Sequence, residues 1–384
     1  MAYPTHDALV SSPEWPELAP RFERLLGLVR RVTPVAEPSA TTRPDVVRVV
    51  HWNIEHGNHY AAIETALAGN PALADADVIA LNEVDLGMAR AGNRDVTHDL
   101  ATRLARHGVW APLFLETTRG RDDDPRRAGE RANEESLFGI ALLSRWPIGA
   151  VRIAELPSPV TYQFDRERMV GRHVGLIAEI LRPGGAFVAA TAHLEVHRGR
   201  AERATQMGAV LAPLADEPRP VVLTGDFNSH TFDRGRWNSA LTAAAVLFLA
   251  SDRALAARFR RPDRGPHHEP LFDLLRAHGF EWEPFTDFAP TLGLRFERVE
   301  EGRAWDWLAR LSNPIVAWAV GRGALKLDWI AGRGWAGGLG ATVVGLDGPG
   351  RASDHAPIVA ELRSRGGPPG GSPPAAEPGT PASR

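Results

Sequence analysis

The sequence contains no cysteine, which excludes disulfides and every metal site built on thiolates. Any metal must therefore be held by oxygen or imidazole ligands, and this favours hard cations. The sequence also lacks an apolar run of the about eighteen residues that a membrane span needs. Its first residues carry prolines and acidic side chains where a signal peptide needs a basic start and an apolar run. We therefore expect a cytoplasmic protein.

The chain also lacks a strong net charge. Its formal charge is −3 over 384 residues, so the whole-protein field gives no general attraction to polyanions. Arginines are frequent but alternate with Asp and Glu, so a nucleic-acid partner would need a local basic patch. An apolar share of 43% is enough for a sizeable buried core. These properties predict a globular protein.

The middle of the chain alternates short β-branched runs with longer helical patterns. Because hairpins and βα units are mixed, we predict an α/β fold in which two sheets pack together with helices outside. Residues 1–45 form an N-terminal extension with room for one packed helix, and residues 46–365 form the main domain, with an insertion at about 231–325. Residues 366–384 include 11 Gly or Pro and are predicted to be a disordered tail.

Polar side chains recur where the predicted strands end or begin. Strand ends at one edge of a sheet converge in space, which is where α/β proteins gather functional groups. Carboxylates there can hold Mg²⁺ or Mn²⁺, while amides and imidazoles can hold phosphate oxygens and move protons. The residues at such positions are Asn53, Glu83, His193, Asp226, Asn228, Asp328, Asp354 and His355.

Two local patterns refine this site. In Asp226-Phe227-Asn228 an extended backbone would place the acid and the amide on the same face, so that they could grip one phosphate or its nucleophile. A carboxylate near His355 would orient its ring and raise its basicity, which makes His355 a candidate base for activating water. Either Asp328 or Asp354 could be that carboxylate.

The stretch HWNIEHGNH, residues 51–59, has three histidines and a glutamate but matches no zinc motif. His51 lies within the predicted strand, and Glu55 and His56 lie beyond its end. We interpret Asn53, at the strand end, as the residue that the site needs and the three histidines as the least informative of the group, with His56 and His59 as substrate contacts at most.

Seven motifs follow one another between residues 46 and 363, and together they resemble the endonuclease/exonuclease/phosphatase superfamily. They are WNI, LNEVD, LLSRWPI, TAHLE, TGDFN, LDWI and SDHAPI. The resemblance implies the four-layer α/β/β/α sandwich of deoxyribonuclease I. It also implies a hydrolase that is dependent on Mg²⁺ or Mn²⁺ and acts on phosphoester bonds as a phosphodiesterase or phosphatase.

The resemblance implies a metal site and a phosphate site in this chain. Glu83 would be the principal metal ligand, with Asn53 beside it on metal or phosphate and with Asp354 helping to hold the metal. The superfamily usually has a phosphate-contacting arginine just before the hairpin. Arg172 is the candidate here, and Arg168 is the alternative.

The resemblance also implies the groups that move protons. Asp226 would orient or deprotonate the attacking water, and Asn228 would bind the phosphate. His355 would pair with Asp328, and His193 would donate to a phosphate oxygen or assist the leaving group. The reaction would be an in-line attack of water without a covalent enzyme intermediate.

The substrate is predicted from the charge balance. We expect a small-molecule, inositol or lipid-headgroup phosphoester, because the loops near the site are charge-balanced rather than basic. A DNA or RNA nuclease is the alternative, and an inactive binding module on the same fold is a second one. The Trp-rich segment at 305–323 could contact a membrane surface. No protein partner can be inferred.

Overall fold

The computed structural model of the chain describes residues 3, 5–36, 43, 45–120, 123–157, 168–233, 239–293, 318–319, 321–348 and 350–365. The predicted tail at 366–384 lies outside these residues. Most of the predicted Trp-rich segment also lies outside them, since 305–317 and 320 are not included. Across the described part of the chain, the helices are too short or too polar to cross a membrane.

The described residues contain both helices and strands. The helices are α1 (His6–Val10), α2 (Trp15–Leu26), α3 (Tyr60–Gly69), α4 (Val96–Arg103), α5 (Asp124–Ala128), α6 (Arg200–Leu211), α7 (Ser239–Leu249), α8 (Asp252–Phe259) and α9 (Leu271–Ala277). The strands are β1 (Arg30–Val32), β2 (Val46–Asn53), β3 (Val78–Leu86), β4 (His107–Glu116), β5 (Leu137–Ser144), β6 (Ile148–Glu155), β7 (Met169–Gly171), β8 (Val174–Ile180), β9 (Phe187–His193), β10 (Val221–Asp226), β11 (Leu292–Gly293), β12 (Ala324–Leu325), β13 (Asp328–Arg333), β14 (Gly338–Thr342) and β15 (Ile358–Arg363).

Two mixed sheets form the centre of the fold. Counting described strands only, the first sheet has eight, in the order β1-β4-β5-β3-β2-β15-β14 with β7 also paired to β4. The second sheet has the order β13-β10-β9-β8-β6, and β11 pairs with β12 separately. The neighbours β2 and β3 run parallel, as do β9 and β10, whereas the other pairs are antiparallel.

The two sheets pack face to face, and helices cover their outer faces. Apolar side chains from both sheets fill the space between them, among them Val49, Leu142, Leu176 and Ile330. The helices α3 and α4 cover the first sheet, and α6 and α9 cover the second. The predicted four-layer α/β/β/α sandwich is confirmed. Burial of these apolar faces removes them from water, which is the main stabilising contribution to the fold.

The parallel strand pairs bring the polar strand ends to one edge of the sandwich. In the first sheet Asn53 pairs in register with Asn82, and in the second sheet Asp226 pairs in register with His193. On the other side of Asp226, the antiparallel strand β13 begins at Asp328. The sheets therefore present their polar residues to each other at the same edge.

The segment between β10 and β13 is attached directly to this edge. The backbone N–H of Ala356 donates to the carbonyl of Thr291 over 2.8 Å. The Thr291 hydroxyl oxygen accepts from the backbone N–H groups of Leu327 and Asp328 over 3.1 and 3.2 Å. The strand β11, which follows Thr291, therefore lies beside the polar edge.

A buried ion pair fastens α6 to the segment that leads into α9. Arg203 is fully buried and donates to both carboxylate oxygens of Glu269, over 2.7 and 3.1 Å. It also donates to the carbonyl of Arg198 over 2.7 Å, and Glu269 accepts from the Thr231 backbone over 2.8 Å. Each charge is therefore both paired and hydrogen-bonded, which a buried ion needs.

We predict that Glu269→Ala lowers the free energy of unfolding by about 3 to 5 kcal/mol, because it leaves the Arg203 guanidinium buried without its carboxylate. Urea unfolding followed by circular dichroism measures the change. The matched control is Glu283→Ala, which removes a carboxylate from an exposed pair with Arg276 and should cost less than about 1 kcal/mol. Equal losses in the two variants would contradict the prediction.

Candidate active site

Glu83 reaches the polar edge because β3 contains a bulge. The register between β3 and β5 shifts between Leu81 and Val84, and Glu83 has φ 54°, in the left-handed region. A bulge of this kind redirects a side chain that strict alternation would point elsewhere. The amide nitrogen of Asn53 then donates to Glu83 over 3.0 Å and to Asp226 over 3.2 Å. Asn53 thus ties the two carboxylates together across the two sheets.

Asn82 makes a second tie between the sheets. It is fully buried. Its side-chain oxygen accepts from the backbone N–H of Asp226 over 2.9 Å, and its nitrogen donates to the Thr191 hydroxyl over 3.2 Å. The sequence prediction missed this residue, although its place at a strand end beside Glu83 was a usable signal. Asn82 fixes the strand end that carries Asp226.

The turn after β10 differs from the prediction. The strand ends at Asp226, and Asn228 has φ 47° rather than an extended backbone. The backbone N–H of Asn228 donates to the Asp226 carboxylate over 2.9 Å, which closes a local turn that Asn tolerates in the left-handed region. The prediction of an extended Asp226-Phe227-Asn228 segment was therefore wrong. Both polar residues nevertheless line the same pocket.

His355 is held by Asp328, the first of the two carboxylates considered from the sequence. The Nδ1 atom of His355 lies 2.8 Å from Asp328 Oδ2, and its Nε2 atom lies 3.9 Å from Asp226 Oδ2. Burial alone would lower the pKa of His355, but the charges of Asp328 and Asp354 and the hydrogen bond to Asp328 raise it well above its usual value. These charges favour the protonated form of His355, whereas the sequence suggested it as a base.

His51 contacts this pair from within β2. It is fully buried, and its Nε2 atom lies 3.1 Å from Asp328 Oδ1. The sequence prediction treated His51 as uninformative, and the structure corrects this. The available signal was its position two residues before Asn53, since alternate residues of a strand share a face.

His193 has the opposite electrostatic environment from His355. Its Nε2 atom lies 3.6 Å from Asp226 Oδ2 and 3.8 Å from Glu83 Oε1. Burial lowers the pKa of His193 despite the nearby charge of Asp226. Burial therefore favours the neutral form of His193, whereas the carboxylates favour the charged form of His355. Two histidines with divergent pKa values can serve as different proton donors and acceptors.

Three acidic side chains crowd the open side of the site. Burial and the charge of Asp354 raise the pKa of Glu83 to about 7. Burial, Asp354 and Glu83 likewise raise the pKa of Glu55 to about 7. Carboxylates raise one another's pKa when each disfavours the charge of the next. A divalent cation would relieve this repulsion, and oxygen donors are the ligands that Mg²⁺ and Mn²⁺ prefer.

Two groups of residues could therefore hold a divalent metal. Ligand atoms of Asp226, Asp328 and His355 lie within 4.8 Å of one another. However, Asp328 and His355 are already joined by a 2.8 Å hydrogen bond, so their facing atoms are engaged with each other. Glu83 and Asp354 line the pocket and suffer mutual repulsion. We regard these two carboxylates as the better cation ligands.

Arg172 does not contact the site. Its guanidinium donates to Glu23 on α2 over 2.9 Å and pairs with Glu155 at 3.1 Å. The prediction of Arg172 as a phosphate contact is therefore wrong, and the alternative Arg168 is also absent from the pocket lining. The next residue, His173, lines the pocket instead, with Nε2 at 3.4 Å from the buried carboxylate of Glu195.

These residues line a cavity of about 250 Å³. Its walls combine apolar and polar side chains, and none of the described residues that line it is a lysine or arginine. The basic side chains of the lining are histidines. The polar and acidic residues that line the cavity are His56, Glu83, His173, His193, Glu195, His197, Asp226, Asn228, His230, Asp354 and His355.

Known proteins resemble the chain in sequence pattern and in structure. A family model described as "Endonuclease/Exonuclease/phosphatase family" matches residues 50–355. A solved endonuclease/exonuclease/phosphatase from Beutenbergia cavernae DSM 12333 is 18% identical, with a TM-score of 0.46 over 83% of this chain and 72% of that one. The human Nocturnin catalytic domain with bound sulfate is 15% identical, with a TM-score of 0.45 over 87% and 96%. Humanized D. rerio TDP2 is 16% identical, with a TM-score of 0.42 over 83% and 99%. No curated protein matches the chain.

We predict that Asp328→Asn lowers the pKa of His355, because it removes the carboxylate charge that stabilises the imidazolium. NMR titration of the imidazole nitrogens in the metal-free protein measures the change. The wild type should keep His355 protonated above the ordinary range of histidine, and the variant should release the proton at lower pH. As a control, Asp273→Asn removes an exposed carboxylate that pairs with His268 and should leave His355 unchanged. An identical His355 titration in Asp328→Asn would refute the assignment.

Proposed function

The chain belongs to the endonuclease/exonuclease/phosphatase family, and we propose on that premise that it hydrolyses a phosphoester by direct attack of water in the pocket described above. The observation that carries the proposal is the pairing of His355 with Asp328 at 2.8 Å beside Asp226, whose carboxylate lies 3.9 Å from the other His355 nitrogen. A proton donor and a proton acceptor thus lie side by side, as general acid–base chemistry requires.

Asp226 is the acceptor for the attacking water. Its Oδ1 atom accepts from the backbone N–H of Asn228, and its Oδ2 atom accepts from the amide of Asn53. These donors fix the carboxylate without neutralising it. Asp226 therefore orients the water and takes its proton as the oxygen attacks phosphorus.

His355, His193 and Asn228 act on the phosphate. Because Asp328 engages Nδ1 of His355, the Nε2–H remains to donate to a phosphoryl oxygen, where negative charge grows in the transition state. His193, on the other side of Asp226, donates a hydrogen bond to a second phosphoryl oxygen or to the oxygen of the leaving group. The Asn228 side chain is anchored on the Leu194 carbonyl over 2.7 Å and holds the phosphate beside them.

The oxygen donors of the site fit a divalent cation, Mg²⁺ or Mn²⁺. Glu83 and Asp354 would hold it, and Asn53 would keep the Glu83 carboxylate in place through its 3.0 Å hydrogen bond. A bound cation supplies positive charge that polarises the phosphoryl group and lowers the pKa of coordinated water.

The pocket walls favour a small-molecule, inositol or lipid-headgroup phosphoester. Phe114, Phe138 and Met169 line one part of the cavity, and Leu292 and Leu325 of the β11–β12 pair line another. A nuclease needs cationic side chains along the phosphate backbone, because phosphate neutralisation supplies most of the affinity. The described lining contains no lysine or arginine.

We predict metal-dependent hydrolysis of bis-p-nitrophenyl phosphate or p-nitrophenyl phosphate, and a loss of at least about 100-fold in kcat in Glu83→Ala and His355→Ala. Release of p-nitrophenol with Mg²⁺ or Mn²⁺ measures the turnover of the wild type and of the two variants. Arg172→Ala is the matched control, since its ion pairs with Glu23 and Glu155 lie outside the pocket, and its turnover should stay near that of the wild type.

Supercoiled plasmid DNA provides the comparison for the substrate class. The wild type should nick the plasmid slowly relative to its hydrolysis of the small esters. Its nicking rate should be no higher than that of Glu83→Ala. Rapid, Glu83-dependent nicking would establish a nuclease instead. No turnover of any of these substrates with either metal would indicate an inactive binding module and would overturn the proposed hydrolase.

A further inference from the structure

His51 lies on the face of β2 that points into the space between the two sheets. The alternate residues Val47 and Val49 share this face and belong to the apolar core between the sheets. His51 continues the row but carries an imidazole, and its side chain is fully buried. Its Nε2 atom reaches the second sheet and lies 3.1 Å from Asp328 Oδ1.

Asp328 uses its two oxygens for two histidines. Oδ2 faces His355 at 2.8 Å, and Oδ1 faces His51 at 3.1 Å. An ionised carboxylate can only accept, so His51 must carry its proton on Nε2. Rotation of the carboxylate about its last side-chain bond would break both hydrogen bonds. His51 therefore fixes the plane of the carboxylate that orients the His355 ring toward Asp226.

The other nitrogen of His51 shows that an imidazole at this position lowers the stability of the fold. Nδ1 is buried and has no hydrogen-bond partner among the described residues. An unsatisfied buried polar atom lowers the stability of the fold, whereas a valine, as at neighbouring positions of the strand, would not. If the residue served only to pack between the sheets, an apolar side chain would be more stable here than an imidazole. The hydrogen bond to Asp328 accounts for the choice.

We propose that His51 is a positioning residue of the hydrolytic reaction, which holds the Asp328 carboxylate so that His355 Nε2 points at the reacting phosphate. The inference rests on the proposed hydrolase function and extends the Asp328–His355 pair to a buried chain of three residues. His51 does not touch the substrate, because it has no exposed surface. It acts on turnover only through Asp328.

The test compares two variants of similar size. His51→Gln keeps an N–H donor at about the reach of Nε2, and His51→Met fills the same space without a donor. We expect kcat on bis-p-nitrophenyl phosphate to fall by about 10- to 100-fold in His51→Met, with KM nearly unchanged, as for other residues that support a reactive group indirectly. His51→Gln should recover most of the loss. Thermal unfolding shows whether both variants remain folded.

A double-mutant cycle with Asp328→Asn tests whether His51 acts through Asp328. Since residues that act through one contact are not additive, His51→Met should change the residual activity of Asp328→Asn little. Wild-type kcat in His51→Met, equal losses in the Gln and Met variants, or full additivity with Asp328→Asn would each overturn the inference.

Crystal structures of the two variants separate this inference from the proposed function. The Asp328 carboxylate should be rotated, and its contact with His355 lengthened, in His51→Met but not in His51→Gln. If the wild type showed no turnover, the hydrolase proposal would fail. An Asp328–His355 pair that is unchanged in His51→Met would overturn the role of His51, whatever the activity.

Discussion

The site depends on the hydrogen bonds that join the two sheets at Asp226. Its carboxylate accepts from Asn53 of the first sheet over 3.2 Å, and its backbone N–H donates to Asn82 of the same sheet over 2.9 Å. A buried carboxylate and a buried peptide group are costly without partners. These bonds therefore fix the position of one sheet relative to the other at the edge where the apolar core ends. Glu83 and His193 lie at the same edge, next to Asp226.

The same buried charges have opposite consequences on the two sides of Asp226. On one side, carboxylates face one another, and burial together with Asp354 raises the pKa of Glu83 to about 7. On the other side, Asp328 and Asp354 stabilise the imidazolium of His355 and raise its pKa well above the usual value. One region is suited to a cation and the other to proton donation. The two regions differ because the carboxylates face another carboxylate in the first and an imidazole in the second.

Much of this arrangement could be predicted from the sequence, because parallel strands end at a common edge. Within each sheet, that rule places the ends of neighbouring parallel strands together, as it does His193 with Asp226 and Asn53 with Asn82. It does not reveal the bulge that redirects Glu83, which depends on pairing with the distant strand β5. Nor does it reveal the left-handed turn at Asn228, which follows the end of β10 and is closed by a hydrogen bond to Asp226. The rule also does not reveal the partners of Arg172. Its long side chain forms ion pairs with Glu23 of α2 and Glu155 of β6 instead of reaching the site.

In the proposed mechanism, the carboxylates around Glu83 hold a divalent cation. Binding of Mn²⁺ followed by calorimetry between about pH 6 and about pH 8 tests it most directly, because protons compete with metal for carboxylates. With the pKa of Glu83 raised to about 7, the affinity should increase as pH rises through that value, with release of a proton. Glu83→Gln should abolish both the tight binding and its pH dependence, whereas unchanged Mn²⁺ affinity in Glu83→Gln would contradict the claim.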